Sequence, residues 1–403
     1  MPRRAITLLA AALAICLAVQ SPHAAADSQP PASRDVLFLF DTTGSMASAL
    51  SSASAQAQRV MAALRANLGS AVTFGVAEVR DYPVIYGGAT DLPWHLVQPI
   101  TSDTGLIQTA LSSLVATGGG DGPEAYGRAL YDANHDPAVG WRPGARRLVV
   151  VIADNVPHDD DLNGSLPPAL QRPGGWATGQ DPGADATVGT ADDLDWEKVV
   201  LPDLRAGGLR IAMVLIQNPA YLPHWQYWAG LTGGTAVDGR ADVPAAIVKA
   251  AKSAVSRSFV ITIEQYLARS AKSRKQLGVA LTGVFNCSRT RASASAVLRN
   301  VIANRKRMLR DLAALDRPTP QAALIALRLT RSLTHSLAAD RHYLAWLRTL
   351  PAVHRPCTTP PGPSYAAARR EDARATVAKK TFVATFDPLA RSLSLRVWTA
   401  GQF

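Results

Sequence analysis

Between residues 35 and 256 the chain alternates short apolar runs with longer stretches of helical spacing. The run 36–40 (VLFLF) is apolar at every position, the pattern of a strand covered on both faces. An Ala-rich segment over 45–68 predicts a helix, and 72–79 (VTFGVAEV) a second strand. Segments 106–115 and 124–133 read as helices, and 147–153 (RLVVVIA) as another buried strand. A helix over 195–206 ends at Gly207-Gly208, 209–216 is a further apolar strand, and a helix over 243–256 closes the series. This order predicts an α/β fold: a doubly wound, mainly parallel sheet with helices on both faces. Ligands of such sheets gather beyond the carboxyl ends of the strands, so the loops after Phe40, Val115 and Ala153 are the places to look.

Two regions break the rhythm. The stretch 155–194 is rich in Pro, Gly and Asp, and a structureless loop of that length in a compact domain is functional or mobile. Beyond 258 the texture becomes that of long helices, over 293–315, 320–350 and 366–384, with a Pro-rich turn at 358–363. A first domain over 34–256 and a second, mainly α-helical domain over 257–403 are therefore expected. No internal repeat is found.

Composition sharpens that division. At 403 residues and 47% hydrophobic, the chain has ample apolar material for a core, which excludes disorder throughout. The net charge of +11 hides two bodies of opposite sign. Residues 27–256 carry 15 Lys+Arg against 24 Asp+Glu, whereas 257–403 carry 25 against 7. The first 26 residues place Arg3 and Arg4 before an apolar stretch and end in Ala24-Ala25-Ala26, the pattern of a secretory signal peptide. That stretch is shorter than the roughly 20 residues of a membrane span. An exported protein is expected, with no transmembrane segment in the mature chain. Export leaves Cys287 and Cys357, and an oxidising destination makes a disulfide between them the expectation, with two thiols as the alternative.

The candidate chemistry begins where the first strand ends, at Asp41-Thr42-Thr43-Gly44-Ser45-Met46. A carboxylate and two hydroxyls at alternate positions can converge their oxygens on a hard cation such as Mg²⁺. The plain alternative is a helix cap, with Thr43 or Ser45 capping and Asp41 favoured by the dipole. The segment Thr117-Gly118-Gly119-Gly120-Asp121-Gly122-Pro123-Glu124 adds two carboxylates before another helix, and Asp154 terminates the strand 147–153. All of these acids fall where a parallel sheet gathers its ligands.

Over roughly 34–256 the sequence resembles the von Willebrand factor A domain. Asp41, Thr43 and Ser45 match the D-x-[ST]-x-S motif of its metal-ion-dependent adhesion site, and GGGDGPEA at 118–125 looks like the form in hemicentin-type A domains. It is also similar to the Asp-x-Pro-Glu of integrin β subunits. The resemblance implies Mg²⁺ or Mn²⁺ held by Asp41, Thr43 and Ser45, with Glu124 as a further ligand or support and Thr117 as the alternative. It implies Asp121 as a support or adjacent-ion ligand, Asp154 acting through water, and an open position taken by an Asp or Glu side chain of a protein partner. The 155–194 insertion is longer and more acidic than a plain A domain needs.

Within that insertion Asp181, Asp185, Asp192 and Asp193 are spaced along a Gly-rich loop that looks like calcium-binding segments of some secreted bacterial proteins. Ca²⁺ accepts 6–8 oxygens in flexible geometry, while the alternative is a solvated loop. His158 with Asp159, Asp160 and Asp161 is expected in an exposed turn, with metal contact as the alternative. The basic carboxyl-terminal half invites polyanion or membrane contact, with Arg305-Lys306-Arg307 its densest cluster, against a solvated helical bundle as the alternative. Its aromatics lack the interleaving of a base-stacking surface, which argues against nucleic acid.

An enzyme is not expected. Asp41 resembles the aspartyl nucleophile of haloacid dehalogenase-like phosphatases, but Thr43 stands where their acid/base Asp belongs. There is no phosphate loop, nucleophile elbow or H-E-x-x-H pair, and His95, His135 and His158 lack metal-pair spacing. The expected function is cation-dependent binding or adhesion. The alternatives are a calcium-stabilised scaffold whose basic domain binds polyanions or membrane, and a metal-dependent hydrolase.

Overall fold

The computed structural model describes residues 33–351 and 362–403. The export signal expected over 1–26, and Cys357 with most of the Pro-rich turn, lie outside the described residues.

Six strands form one sheet: β1 (Arg34–Asp41), β2 (Val72–Val79), β3 (His95–Thr101), β4 (Arg146–Ala153), β5 (Arg210–Leu215) and β6 (Thr235–Asp238). Their order is β3-β2-β1-β4-β5-β6, and every pairing is parallel except β2 with β3. All eight residues of β1 are buried, as its unbroken apolar run predicts for a central strand. Its side chains alternate between two cores. Val36, Phe38 and Phe40 face one side, with α1 (Ala47–Ala55), α2 (Ala57–Leu68) and α3 (Thr104–Ser113). Leu37 and Leu39 face the other, with α4 (Tyr126–His135), α5 (Leu201–Ala206) and α6 (Leu222–Leu231). Each such side chain contributes about 1.5–3 kcal/mol by leaving water, so the central strands fix the frame from which the site projects.

Three elements were not legible in the pattern. Strand β3 carries Pro99 and is only partly buried, which an antiparallel edge position tolerates. Strand β6 has four residues, too few to show a period, and α6 begins with a Pro in its first turn. The 155–194 insertion contains little regular structure but is tied down. Leu162 and Leu166 are buried in the second core, Trp228 Nε1 donates to Ser165 Oγ at 2.8 Å, and Trp225 Nε1 donates to the Asn155 carbonyl at 2.7 Å.

Four long helices follow: α7 (Val243–Phe285), α8 (Arg291–Ala313), α9 (Pro320–Thr349) and α10 (Pro363–Ser392). Helix α7 runs uninterrupted through position 256. Its first turns pack Ile247, Ala250 and Ala254 on the sheet, and beyond position 256 it buries Phe259, Ile263 and Leu267 among α8, α9 and α10. One helix thus belongs to both cores. Its start is capped by Asp242, which accepts from Ala245 N at 3.0 Å. Asp242→Ala is expected to lower stability by about 1 kcal/mol, read as an earlier urea midpoint at unchanged slope. An unchanged midpoint would mean that the cap contributes nothing.

Candidate metal centre

Strand β1 delivers Asp41, fully buried, to the carboxyl edge of the sheet. Thr43 folds back over it, donating from its amide at 2.9 Å and its hydroxyl at 2.6 Å, both to Asp41 Oδ1. The Thr43 and Ser45 hydroxyl oxygens stand 3.3 Å apart. Tyr126, at the start of α4, donates its hydroxyl to Asp41 Oδ2. No side-chain cap is made by Thr43 to the turn that follows. The Thr43 hydroxyl therefore serves the Asp41 carboxylate and caps nothing.

The glycine loop lies against this turn. Thr117 N donates to Thr42 O at 2.8 Å and Gly44 N to Gly118 O at 3.2 Å. Gly118 and Gly119 have positive φ, and a Cβ on Gly118 would fall 1.8 Å from Asp91 Oδ1, so only glycine fits. A Cβ on Gly119 would meet Thr43 at 3.0 Å and Glu124 Oε1 at 3.5 Å, which places the Glu124 carboxylate over the Thr43 turn. Glu124 is buried, and its Oε2 has no hydrogen-bond partner. Thr117 itself is exposed at the rim. Asp154, at the end of β4, is buried and receives a hydrogen bond from the Ser45 side chain.

Electrostatics mark this as a place short of positive charge. Burial, then repulsion from Asp154, raises the Asp41 pKa to about 7. Burial, then Asp41, Asp81 and Asp154, pushes Glu124 well above the carboxylate range. Burial also raises Asp154. Three desolvated carboxylates around an orphaned oxygen and two neutral hydroxyls form an all-oxygen donor set that fits a hard divalent cation. A carboxyl whose folded pKa exceeds its unfolded one holds a proton that the unfolded chain has lost, so native stability falls as pH rises through that interval. For Asp41 the interval is pH 4 to 7. Metal-stripped protein is expected to melt several degrees lower at pH 7.5 than at pH 5, with Mg²⁺ restoring more at the higher pH. A flat profile in scanning calorimetry would contradict the assignment of these groups.

The other acids separate. Asp121 sits on the rim with its side chain 44% exposed, 3.8 Å from His158 Nε2. Asp185, Asp192 and Asp193 converge on the Thr190 hydroxyl at 3.3, 2.9 and 3.0 Å. They also accept backbone amides, from Thr187, Ala184 and Gly189 respectively. Asp181 goes elsewhere: it is buried against α4, where burial raises its pKa to about 6 beside the Tyr82 hydroxyl. The exposed turn expected at 158–161 is not what forms at its start, because His158 and Asp159 are both buried. Arg305 likewise leaves the basic surface cluster, since it is buried against Asp340. Tyr126 and Asp81 were missed. Asp81 follows β2, and the strand-end rule that located Asp41 and Asp154 would have found it.

The sheet order, the antiparallel edge strand, the helices on both faces and the metal-type turn after β1 define a von Willebrand factor A-like fold, followed by a C-terminal helical region. No family model and no curated protein matches the chain. Among solved structures it is similar to a von Willebrand factor type A protein from Catenulispora acidiphila, at 16% identity and TM-score 0.33 over 56% of this chain. It is similar to the von Willebrand domain of the type V pili tip protein Mfa5 from Porphyromonas gingivalis, at 12% and 0.36 over 56%, covering 96% of that chain. The pilus adhesin SpaC from Lactobacillus rhamnosus GG matches at 16% and 0.36 over 57%. The match spans 43% of the Catenulispora chain and 30% of SpaC. At these scores the fold assignment rests on the strand order and the turn themselves.

Proposed function

We propose that this is an exported binding protein that engages a carboxylate of a protein partner through a divalent cation, Mg²⁺ or Mn²⁺, at the end of β1. The observation that carries this reading is the buried Glu124 carboxylate beside the Thr43 turn: its Oε2 has no hydrogen-bond partner, and its Oε1 lies with the Thr43 side chain around Gly119. Asp41, Thr43, Ser45 and Glu124 would hold the ion, with Asp154 supporting through Ser45. When bound, the cation supplies a positive centre at the sheet edge that a partner's Asp or Glu can reach. The chain's own part is to keep that centre under-neutralised, because two of its donors are uncharged hydroxyls. Thr43 bonds to Asp41 and offers no acid or base, which supports binding without turnover. An adhesive role outside the cytoplasm follows from this site together with the export signal read over 1–26.

Water-proton relaxation of the Mn²⁺-loaded chain tests the reading. A Glu-containing tripeptide should displace metal-bound water and lower the relaxation enhancement, while its Gln counterpart should not. Equal responses to the two peptides would overturn it.

A further inference from the structure

We propose that Asp81, Asp121 and His158 form a second metal site, separate from the one at Asp41 and suited to a transition ion of the Zn²⁺ type. One ligand atom from each lies within 4.8 Å of the other two. Three segments meet there: the loop after β2 brings Asp81, the glycine loop brings Asp121, and the start of the insertion brings His158. The meeting is built by backbone pairing, because Glu124 N donates to Val156 O at 3.1 Å and His158 N donates to Glu124 O at 3.1 Å.

The histidine is oriented for this. Its Nδ1 lies against the Thr178 carbonyl, an acceptor, so Nδ1 carries a hydrogen. The ring stacks on Tyr86 at 4.0 Å and 15°, and the Tyr86 hydroxyl donates to Gln180 O at 2.9 Å. With Nδ1–H committed, the Nε2 lone pair faces Asp81 Oδ1 at 3.0 Å and Asp121 Oδ1 at 3.8 Å. A lone pair cannot face carboxylate oxygens at that range without positive charge between them, supplied either by a second ring proton or by a metal ion. Asp81 decides for the ion. It is fully buried, accepts from Tyr82 N through Oδ1, which also faces His158 Nε2, and leaves Oδ2 without a partner. One ring proton serves one oxygen, whereas a cation serves both carboxylates. A carbonyl holding the far nitrogen of the ring is also the usual outer support of a metal-bound histidine. Imidazole with two carboxylates favours a borderline ion such as Zn²⁺ over Mg²⁺ or Ca²⁺, which take oxygen donors. The part-exposed Asp121 leaves an entry path and an open side. Because Asp121 is three residues before Glu124, an ion here would also fix the loop that presents Glu124 to the first site.

The test is a Zn²⁺ titration of the metal-stripped full chain in millimolar Mg²⁺, followed by calorimetry and by the visible absorption of a Co²⁺ substitute. Wild type and Asp41→Ala should each bind Zn²⁺ here, which separates this site from the first. Asp121→Asn, at a part-exposed position that leaves the core intact, should weaken binding at least tenfold at unchanged melting temperature in the absence of metal. His158→Gln should remove it and the associated Co²⁺ bands. The proposal is overturned if wild type takes up no Zn²⁺, if Asp121→Asn binds like wild type, or if Asp41→Ala alone abolishes uptake. Should His158→Gln fail to fold, Asp121→Asn decides.

Discussion

In Asp41→Ala, Mg²⁺ should no longer raise the melting temperature. For wild type at a Mg²⁺ concentration a hundredfold above Kd, linkage stabilises the native state by about 2.7 kcal/mol. At about 2–4 °C per kcal/mol that is a rise of roughly 5–10 °C. The variant lacks the one carboxylate to which Thr43 and Tyr126 both donate, so the ion loses its anchor. Its metal-free form should nevertheless melt no lower than metal-free wild type at pH 7.5. Removing Asp41 relieves the repulsion that, with burial, raises Glu124. A variant that is globally unstable could not show this combination of lost metal response and retained metal-free stability. An undiminished Mg²⁺ shift in Asp41→Ala would place the ion elsewhere.

The second large effect lies in the helical region. Arg305 and Asp340 form an ion pair at 2.5 Å with side chains 3% and 1% exposed, and Arg305 also donates to Ser270 Oγ at 3.2 Å. Truncating one partner of such a pair leaves an uncompensated buried charge, so Asp340→Ala should cost about 3–5 kcal/mol. The paired replacement Arg305→Met with Asp340→Leu should recover most of that loss, because it removes both desolvated charges. Urea unfolding of the single and paired variants measures the difference. A single variant within about 1 kcal/mol of wild type would show that water reaches the pair, the situation of a surface bridge. Of the basic cluster, Lys306 and Arg307 remain exposed.

What the sequence revealed follows from burial on two faces. Strands β1 and β4 were legible nearly to the residue because central parallel strands are apolar without alternation, a signal that needs no context. Strand β3 and the short β6 sit at the sheet edges, where partial burial and four residues leave no period. Helix α7 starts at Val243, where the sequence places it, but runs on past 256 to Phe285. Its continuation changes faces, from sheet to bundle, and so shows no single apolar stripe. Around Asp41, the strand ends and the Gly-rich loop point in the sequence to Thr43, Ser45, Glu124 and Asp154, and the fold brings these side chains into one neighbourhood. Their electrostatic coupling was not legible, since it depends on which loops the crossovers bring together. His158 is the clearest case. Flanked by three Asp residues, it reads as a solvated turn, yet pairing between the loops at 124 and 156–158 draws it inside. Arg305 was misread for a related reason, because its partner lies 35 residues away on another helix.

The most direct test is calorimetric titration of the metal-stripped full chain with Mg²⁺ and Mn²⁺, beside Asp41→Ala and Glu124→Gln. The account predicts a site that takes either ion in wild type, is lost in Asp41→Ala and is weakened in Glu124→Gln. Binding of both ions unchanged in Asp41→Ala, or no binding in wild type, would contradict it.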